Sequence, residues 1–378
     1  MKLPSLTIVR FLAAFMVVAS HFGGGLFNPA PAPVRNFFCR GGEGVLFFFL
    51  LSGFILTVVY AGRPLRGEGL RAFYLARFAR VYPLYILAVL ITVPIAYLTY
   101  KGALAVGKPV PEAMPLFVVQ KFTMTDAWTP LRSIKSGWLL QGWTLSCEAL
   151  FYLSFPLVFL LTSRLSARVS VIAFFVALFI AWGVHAGPLL VLGREAPAWK
   201  IWDQWLQEFP PARVPDFVAG CLLGRIFLDL RSHIDRVAGF VIPAIAATIV
   251  LQSFASNAIT SESPVYLLFR LAYAGLILTL AARDLARPFR PSRLLIALIF
   301  LGEISYGVYL VQTIPPEYLQ FASSRWGFSL PSEPWLFLLH VTLIVVLSAV
   351  LYRFYEVPAR RWILGRRKAP AAPPNAAW

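Results

Sequence analysis

Residues 44–62 read GVLFFFLLSGFILTVVYAG, a run of nineteen residues without a charged side chain. A helix rises about 1.5 Å per residue, so a run of about 20 apolar residues spans the hydrocarbon core of a bilayer. The run is too long for a buried strand, and it lacks the alternation of polar and apolar residues that is typical of a membrane β-barrel. The segment therefore predicts a transmembrane helix.

The composition of the whole chain also indicates a membrane protein. Of the 378 residues, 59% are apolar and 13% are charged, and the mean hydropathy is +0.72. Soluble proteins are about half apolar and about a quarter charged, so these values exclude a soluble enzyme and a disordered chain. Cys39, Cys147 and Cys221 have neither C-x-x-C spacing nor a nearby histidine, so we expect neither a metal site nor a disulfide framework.

A window of about 20 residues predicts about ten such helices in one polytopic, all-α bundle. The sixth is short and carries Asp216 and Arg225 at its ends, which leaves nine or eleven as alternative counts. We expect one membrane domain over residues 1–363 and a disordered, basic, Pro/Ala-rich tail over residues 364–378. The predicted helices cover residues 5–24, 44–62, 81–100, 138–162, 169–188, 214–229, 237–254, 265–282, 294–315 and 335–355.

Thirty-four Lys and Arg against seventeen Asp and Glu give a net charge of +17. On a soluble chain this charge would suggest a nucleic-acid partner. Here 21 of the basic residues lie in the connections on the side of both termini, and 11 lie in the opposite connections. Basic loops resist translocation, so the count predicts cytoplasmic termini in an inner (plasma) membrane protein. Attraction to anionic lipid headgroups then accounts for most of the charge without nucleic acid.

Two ionisable residues, Arg10 and His21, lie in the first predicted helix, eleven positions apart. Eleven residues make about three turns, so both side chains leave the same face about 16 Å apart along the axis. A charge at membrane depth costs a few kcal/mol and needs a partner or a water-filled cavity. The pair therefore suggests a functional site, although a snorkelling Arg10 and a His21 bonded to a neighbouring helix remain the alternative.

Glu148, in the fourth predicted helix, is the expected partner of His21. A carboxylate that holds one imidazole nitrogen fixes the tautomer and leaves the other nitrogen to act as a general base. The alternative is a structural Glu148 paired with Arg10 or Arg270.

Arg77 and Arg80 stand three positions apart, just before Tyr82. This spacing brings both guanidinium groups onto one side of a helix, and guanidinium groups suit bidentate contact with phosphate oxygens. The pair suggests a site for a phosphorylated cofactor, or else a pair of topology determinants on the cytoplasmic side.

Seven short motifs occur along the chain in one order. Together they resemble the acyltransferase-3 family of integral membrane acyltransferases, over roughly residues 5–363. Each motif is weak alone, but seven in the family's order are specific. The motifs are R-x10-H from Arg10 to His21, FFLLSGF from Phe48, ARFARVYP from Ala76, WTLSCEALFY from Trp143, RVPDFVAG from Arg213, LGEISYGVYL from Leu301 and YEVPARR from Tyr355.

The resemblance implies transfer of an acyl group, commonly acetyl, from cytoplasmic acyl-CoA to a hydroxyl of a sugar, polysaccharide or glycoside. It implies that Arg10 and His21 are essential and that Arg77 and Arg80, with Tyr82 beside them, bind the donor. Under this hypothesis His21, oriented by Glu148, deprotonates the acceptor, or becomes transiently acylated. Arg10 steers the pantetheine arm or satisfies a buried carboxylate.

Further site residues follow from this hypothesis. Trp143, Ser146 or Tyr306 would stabilise the developing oxyanion. Glu303, an acid within the ninth predicted helix, is expected either to pair with Arg270 or to belong to the acceptor site. At Gln312 the chain departs from the family, which often has a histidine there.

A transporter or flippase is the alternative from another class of function. Buried Arg, His and Glu residues also serve proton or substrate pathways. Transporters tend to contain inverted repeats, and no such symmetry is seen in the sequence.

Overall fold

The computed structural model describes residues 3–106, 114–129, 138–193, 202–203, 205–255, 261–287 and 292–365. Every regular element in these ranges is helical, so the prediction of an all-α bundle is confirmed. The predicted tail lies outside the described residues from residue 366 onward.

Thirteen α-helices form or border the bundle in the described ranges. They are α1 Pro4–Phe22, α2 Gly41–Tyr60, α3 Glu68–Ala105, α4 Gly142–Thr162, α5 Ala167–Leu192, α6 Pro210–Asp229, α7 Val241–Phe254, α8 Tyr266–Ala286, α9 Arg293–Glu303, α10 Ser305–Val311, α11 Ile314–Trp326, α12 Trp335–Leu351 and α13 Val357–Ile363. Further helical segments are Gly24–Phe27, Ala32–Phe38, Met114–Thr123, Asp126–Trp128, Leu230–His233 and Ile234–Gly239, and a π-helical turn, Tyr352–Glu356, joins α12 to α13.

By length and composition, seven of the described helices can each cross a membrane. Two bent pairs, in which consecutive helices meet at a short break, raise the count to nine if each pair crosses the membrane once. The first bent pair, Pro210–Gly239 with Val241–Phe254, bends by 70° and combines the sixth and seventh predicted helices. Helix α7 has 14 residues, about 21 Å, which is shorter than the roughly 30 Å apolar core. The second pair, Arg293–Glu303 with Ser305–Trp326, bends by 43°.

Helices α2 and α6 cross with their backbones in close contact. A Cβ atom added at Gly53 would lie 2.2 Å from the carbonyl oxygen of Phe217, and one added at Gly220 would lie 2.1 Å from that of Leu50. Small residues allow membrane helices to approach in this way. Two of the sequence motifs thus contain the glycines of one helix crossing.

Aromatic side chains fill the space between α2, α4 and α6. The ring of Phe151 stacks on that of Phe217 with centroids 4.6 Å apart, and its edge meets Phe49 at 5.2 Å. All three rings are buried. This layer holds α4, with its motif WTLSCEALFY, against the centre of the bundle.

Candidate active site

Helix α1 contributes to two sites, one in its first half and one at its C-terminal end. Arg10 lies in its second turn, and His21 is its second-to-last residue. The eleven-residue separation corresponds to about 16 Å along the axis. Each residue meets a different set of neighbouring elements.

Arg10 belongs to a group of charged residues that we call the arginine cluster: Arg10, Arg77, Arg80 and Arg360 with Glu148, Glu303 and Glu356. The Nη1 atom of Arg80 forms an ion pair with the buried Glu356 carboxylate, across α3 and the π-helical turn. The Glu148 carboxylate interacts electrostatically with Arg80, Arg10 and Arg77. Residues from α1, α3, α4, α9, the π-helical turn and α13 therefore meet at one end of the bundle.

Tyrosines connect the charges of the arginine cluster. The Tyr152 hydroxyl donates to Glu148 Oε2 at 3.1 Å, and the Tyr352 hydroxyl donates to Glu303 Oε2 at 3.1 Å. The guanidinium carbon of Arg77 lies 5.9 Å from the Tyr152 ring centroid, within cation–π range. The tyrosines thus hold the carboxylates and one of the arginines in place.

The cluster can bind an anion. Four arginines against three glutamates leave one formal positive charge in excess, and the buried Nε of Arg77 has no hydrogen-bond partner. Arg10, Arg77 and Glu148 remain half-buried although they interact with several helices of the bundle. A phosphate group is the type of ligand that guanidinium groups bind best.

The second site is formed by His21 and Gln312. His21 Nδ1 lies 3.0 Å from Gln312 Oε1, and Gln312 Nε2 donates to the carbonyl oxygen of Tyr309 at 2.8 Å. Gln312 is fully buried, whereas the His21 side chain is exposed. The imidazole can therefore be reached by a substrate while its Nδ1 edge is held.

The predicted pairing of His21 with Glu148 is corrected by these contacts. Glu148 hydrogen-bonds Tyr152, and its electrostatic partners are arginines of the cluster. The interaction of Glu148 with Arg10 places its carboxylate near Arg10, whereas the hydrogen-bond partner of His21 is Gln312. The alternative of a carboxylate that pairs with interior arginines describes its surroundings better.

Two residues expected at the acyl-transfer site lie instead in or beside the arginine cluster. Tyr306 donates its hydroxyl to the carbonyl oxygen of Val81 at 2.9 Å, and its ring lies 5.5 Å from the guanidinium carbon of Arg80. It is therefore not an oxyanion donor at His21 in this structure. Glu303 is bound by Tyr352 and interacts with Arg80, not with Arg270. Arg270 forms a buried ion pair with Asp216 at 2.7 Å.

The other predicted residues have structural partners. Ser146 donates to Asp126 Oδ1 at 2.8 Å, inside a buried network in which Asp126 also binds Lys121. Trp143 meets Phe49 edge to face at 6.2 Å. The Tyr82 hydroxyl donates to the carbonyl oxygen of Phe122 at 3.1 Å, so its described hydrogen bond points away from Arg80.

Four residues of the arginine cluster and its surroundings escaped the sequence reasoning: Tyr152, Tyr352, Glu356 and Arg360. Glu356 and Arg360 belong to the YEVPARR motif, and Tyr152 ends WTLSCEALFY. Tyr152 also follows Glu148 by four positions, which places both on one helix face. These signals were present in the sequence, but only the fold brings YEVPARR next to Arg80.

Comparison with known proteins gives two matches. A family model described as an acyltransferase domain, of the acyltransferase-3 type, matches residues 3–353. The acyltransferase MdmB of Streptomyces mycarofaciens is 28% identical over an alignment of 393 positions, which covers 100% of this chain and 96% of that protein. No solved structure matches the chain significantly.

Proposed function

Since the chain belongs to the acyltransferase-3 family, we propose that it is a membrane O-acyltransferase that uses cytoplasmic acyl-CoA, with acetyl-CoA as the expected donor. The acceptor is a hydroxyl of a sugar, polysaccharide or glycoside. One observation carries the proposal: a single helix contributes Arg10 to a cluster of arginines and, about 16 Å further along its axis, presents an exposed imidazole at its C-terminal end. A donor with a charged nucleotide end and a long, thin arm fits this separation.

The donor's phosphates would bind at the arginine cluster. Arg77 offers a buried Nε without a partner, and the excess positive charge favours an anion. Glu356 holds Arg80 in place through their ion pair, so the two arginines of the R-x-x-R motif differ in role. The excess of basic residues on the side of both termini supports a cytoplasmic location for this end of the bundle.

The exposed imidazole of His21 would act as the general base. It removes the proton from the acceptor hydroxyl while the hydroxyl oxygen attacks the thioester carbonyl. The carbon–sulfur bond then breaks, and the imidazolium returns its proton to the departing thiolate. The products are an ester and free CoA, so atoms and charge balance without a metal ion.

A labelling experiment tests this function. The purified protein, in lipid nanodiscs, is given radiolabelled acetyl-CoA and a glycan or glycoside acceptor extract. We expect donor-dependent labelling of the acceptor, which falls by about 10²-fold or more in His21→Ala because the general base is lost. His233→Ala, which alters an exposed histidine outside both sites, is the matched control and should retain activity.

Two results would contradict the proposal. One is full activity of His21→Ala. The other is movement of the acceptor across the membrane of proteoliposomes without any labelling, which is the outcome expected of a transporter or flippase.

A further inference from the structure

Gln312 lies between α10 and α11, at an interruption of the helix. Pro315 and Pro316 follow within the first turn of α11 and have no amide hydrogen, so they cannot continue the hydrogen bonding of the preceding helix. In this turn the Gln312 side chain folds back and donates through Nε2 to the carbonyl oxygen of Tyr309, three residues earlier. The amide is buried and bonded on both sides.

The hydrogen bond to Tyr309 determines the orientation of the Gln312 side-chain amide. A side-chain amide has one donor nitrogen and one acceptor oxygen, and these are told apart by their hydrogen-bond partners. The Tyr309 carbonyl oxygen can only accept, so it requires the amide nitrogen. The amide oxygen must then face His21 Nδ1, at 3.0 Å.

The orientation of the amide in turn determines the tautomer of His21. An amide oxygen has no hydrogen to donate, so Nδ1 must carry one. In the neutral imidazole only one nitrogen is protonated, and Nε2 therefore holds the lone pair. Among the described residues no hydrogen-bond partner is found for Nε2, and the imidazole is exposed.

We propose that Gln312 is a positioning residue that holds His21 in the Nδ1-protonated tautomer, so that Nε2 is the atom that takes the acceptor's proton. This inference rests on the proposed acyl transfer. Gln312 orients the His21 imidazole, which is the role expected of Glu148, but it does so through a neutral amide. A neutral amide fixes the ring and the tautomer without adding a negative charge next to the imidazole.

The first test compares two substitutions at position 312. Gln312→Met keeps the length of the side chain and removes the acceptor oxygen, so we expect kcat to fall by about 10²-fold with an unchanged KM for acetyl-CoA. Gln312→Glu restores an acceptor oxygen toward Nδ1 but loses the donor to the Tyr309 carbonyl oxygen, so we expect it to recover part of the lost kcat. Wild-type kcat in Gln312→Met, or a lower kcat in Gln312→Glu than in Gln312→Met, would overturn the proposal.

Gln252→Met is the matched control. Gln252 is also buried, and its Oε1 accepts a hydrogen bond from the Tyr273 hydroxyl at 3.0 Å, between α7 and α8. The substitution removes the same chemical group at a position that is distant in sequence from His21. We expect a loss of thermal stability with kcat unchanged, whereas an equal loss of kcat would reduce the role of Gln312 to packing.

The second test does not need turnover. In protein labelled with ¹⁵N-histidine, at a pH where the imidazole is neutral, the ¹⁵N chemical shifts distinguish the two tautomers, and His21→Gln assigns the His21 signals among four histidines. We expect Nδ1 protonated and Nε2 unprotonated in the wild type. A protonated Nε2 would refute the inference even if Gln312→Met failed to fold. An inactive wild type with the expected tautomer would refute only the proposed function.

Discussion

Arg77 and Arg80 lie three residues apart on α3 but have different surroundings. Arg80 is paired with Glu356, whereas Arg77 lies over the Tyr152 ring with its Nε unpartnered. The spacing of the two residues predicts a shared helix face, and it cannot reveal that one of them is already neutralised. At the scale of single residues the two arginines should therefore respond differently to substitution.

Arg77→Gln should weaken binding of acetyl-CoA by about 10- to 100-fold, because one charge-assisted contact to phosphate is worth about 1.5–3 kcal/mol. The dissociation constant is measured by equilibrium binding of radiolabelled acetyl-CoA to the purified protein. Arg71→Gln, at an exposed arginine six residues earlier on α3, is the matched control and should bind normally. Equal affinity of the Arg77 variant and the wild type would remove Arg77 from the donor site.

Helix α2 depends on its close crossing with α6. At this scale the important property of Gly53 and Gly220 is the missing Cβ atom, because the backbone of the other helix occupies its place. A glycine in a helix normally weakens it relative to alanine. The crossing reverses that preference, since any side chain would separate the two helices.

Gly220→Ala should destabilise the protein by about 1–3 kcal/mol, since the added methyl group would lie 2.1 Å from the Leu50 carbonyl oxygen. Gly275→Ala is the control: a Cβ atom there would meet nothing within 4 Å, so we expect no loss of stability. Thermal unfolding in a fixed detergent compares the two variants. Equal stability of Gly220→Ala and wild type would show that the crossing can relax.

The path of the whole chain across the membrane depends on the first bent pair. Cytoplasmic location of both termini requires an even number of crossings, whereas seven helices and two bent pairs that each cross once would make nine. The number becomes even if the bend near Gly239 is a turn at the cytoplasmic surface, with α6 and α7 crossing separately and the bilayer locally thinner around the short α7. We therefore predict that Arg236, which is exposed, faces the cytoplasm.

Cysteine labelling tests this topology. Cys147 and Cys221 are fully buried, whereas Cys39 is partly accessible between α1 and α2. A membrane-impermeant maleimide should label Cys39 on intact cells. In a Cys39→Ser background it should label Arg236→Cys only after the cells have been permeabilised. Burial raises the pKa of the Cys39 thiol despite the nearby Arg35, so the thiolate fraction and the labelling rate should still be rising above neutral pH. Labelling of Arg236→Cys on intact cells would contradict the predicted orientation.

The sequence by itself determined the fold class and the distance between Arg10 and His21 along the axis of α1. The length of the apolar segments, their composition and an eleven-residue spacing are local properties of the chain. Local periodicity is the same in any packing of the helices. It also placed Arg77 and Arg80 on one side of α3. These features follow from helix geometry alone.

Only the tertiary structure decided which side chains meet. Gln312 and His21 are 291 positions apart, and Arg80 and Glu356 are 276 apart. The chemistry of a carboxylate predicts a Glu148–His21 pair, yet the fold surrounds Glu148 with arginines. Pairing across a helix bundle depends on axial offset and rotation of each helix, and these are set by contacts such as the Gly53–Gly220 crossing, which no single helix specifies.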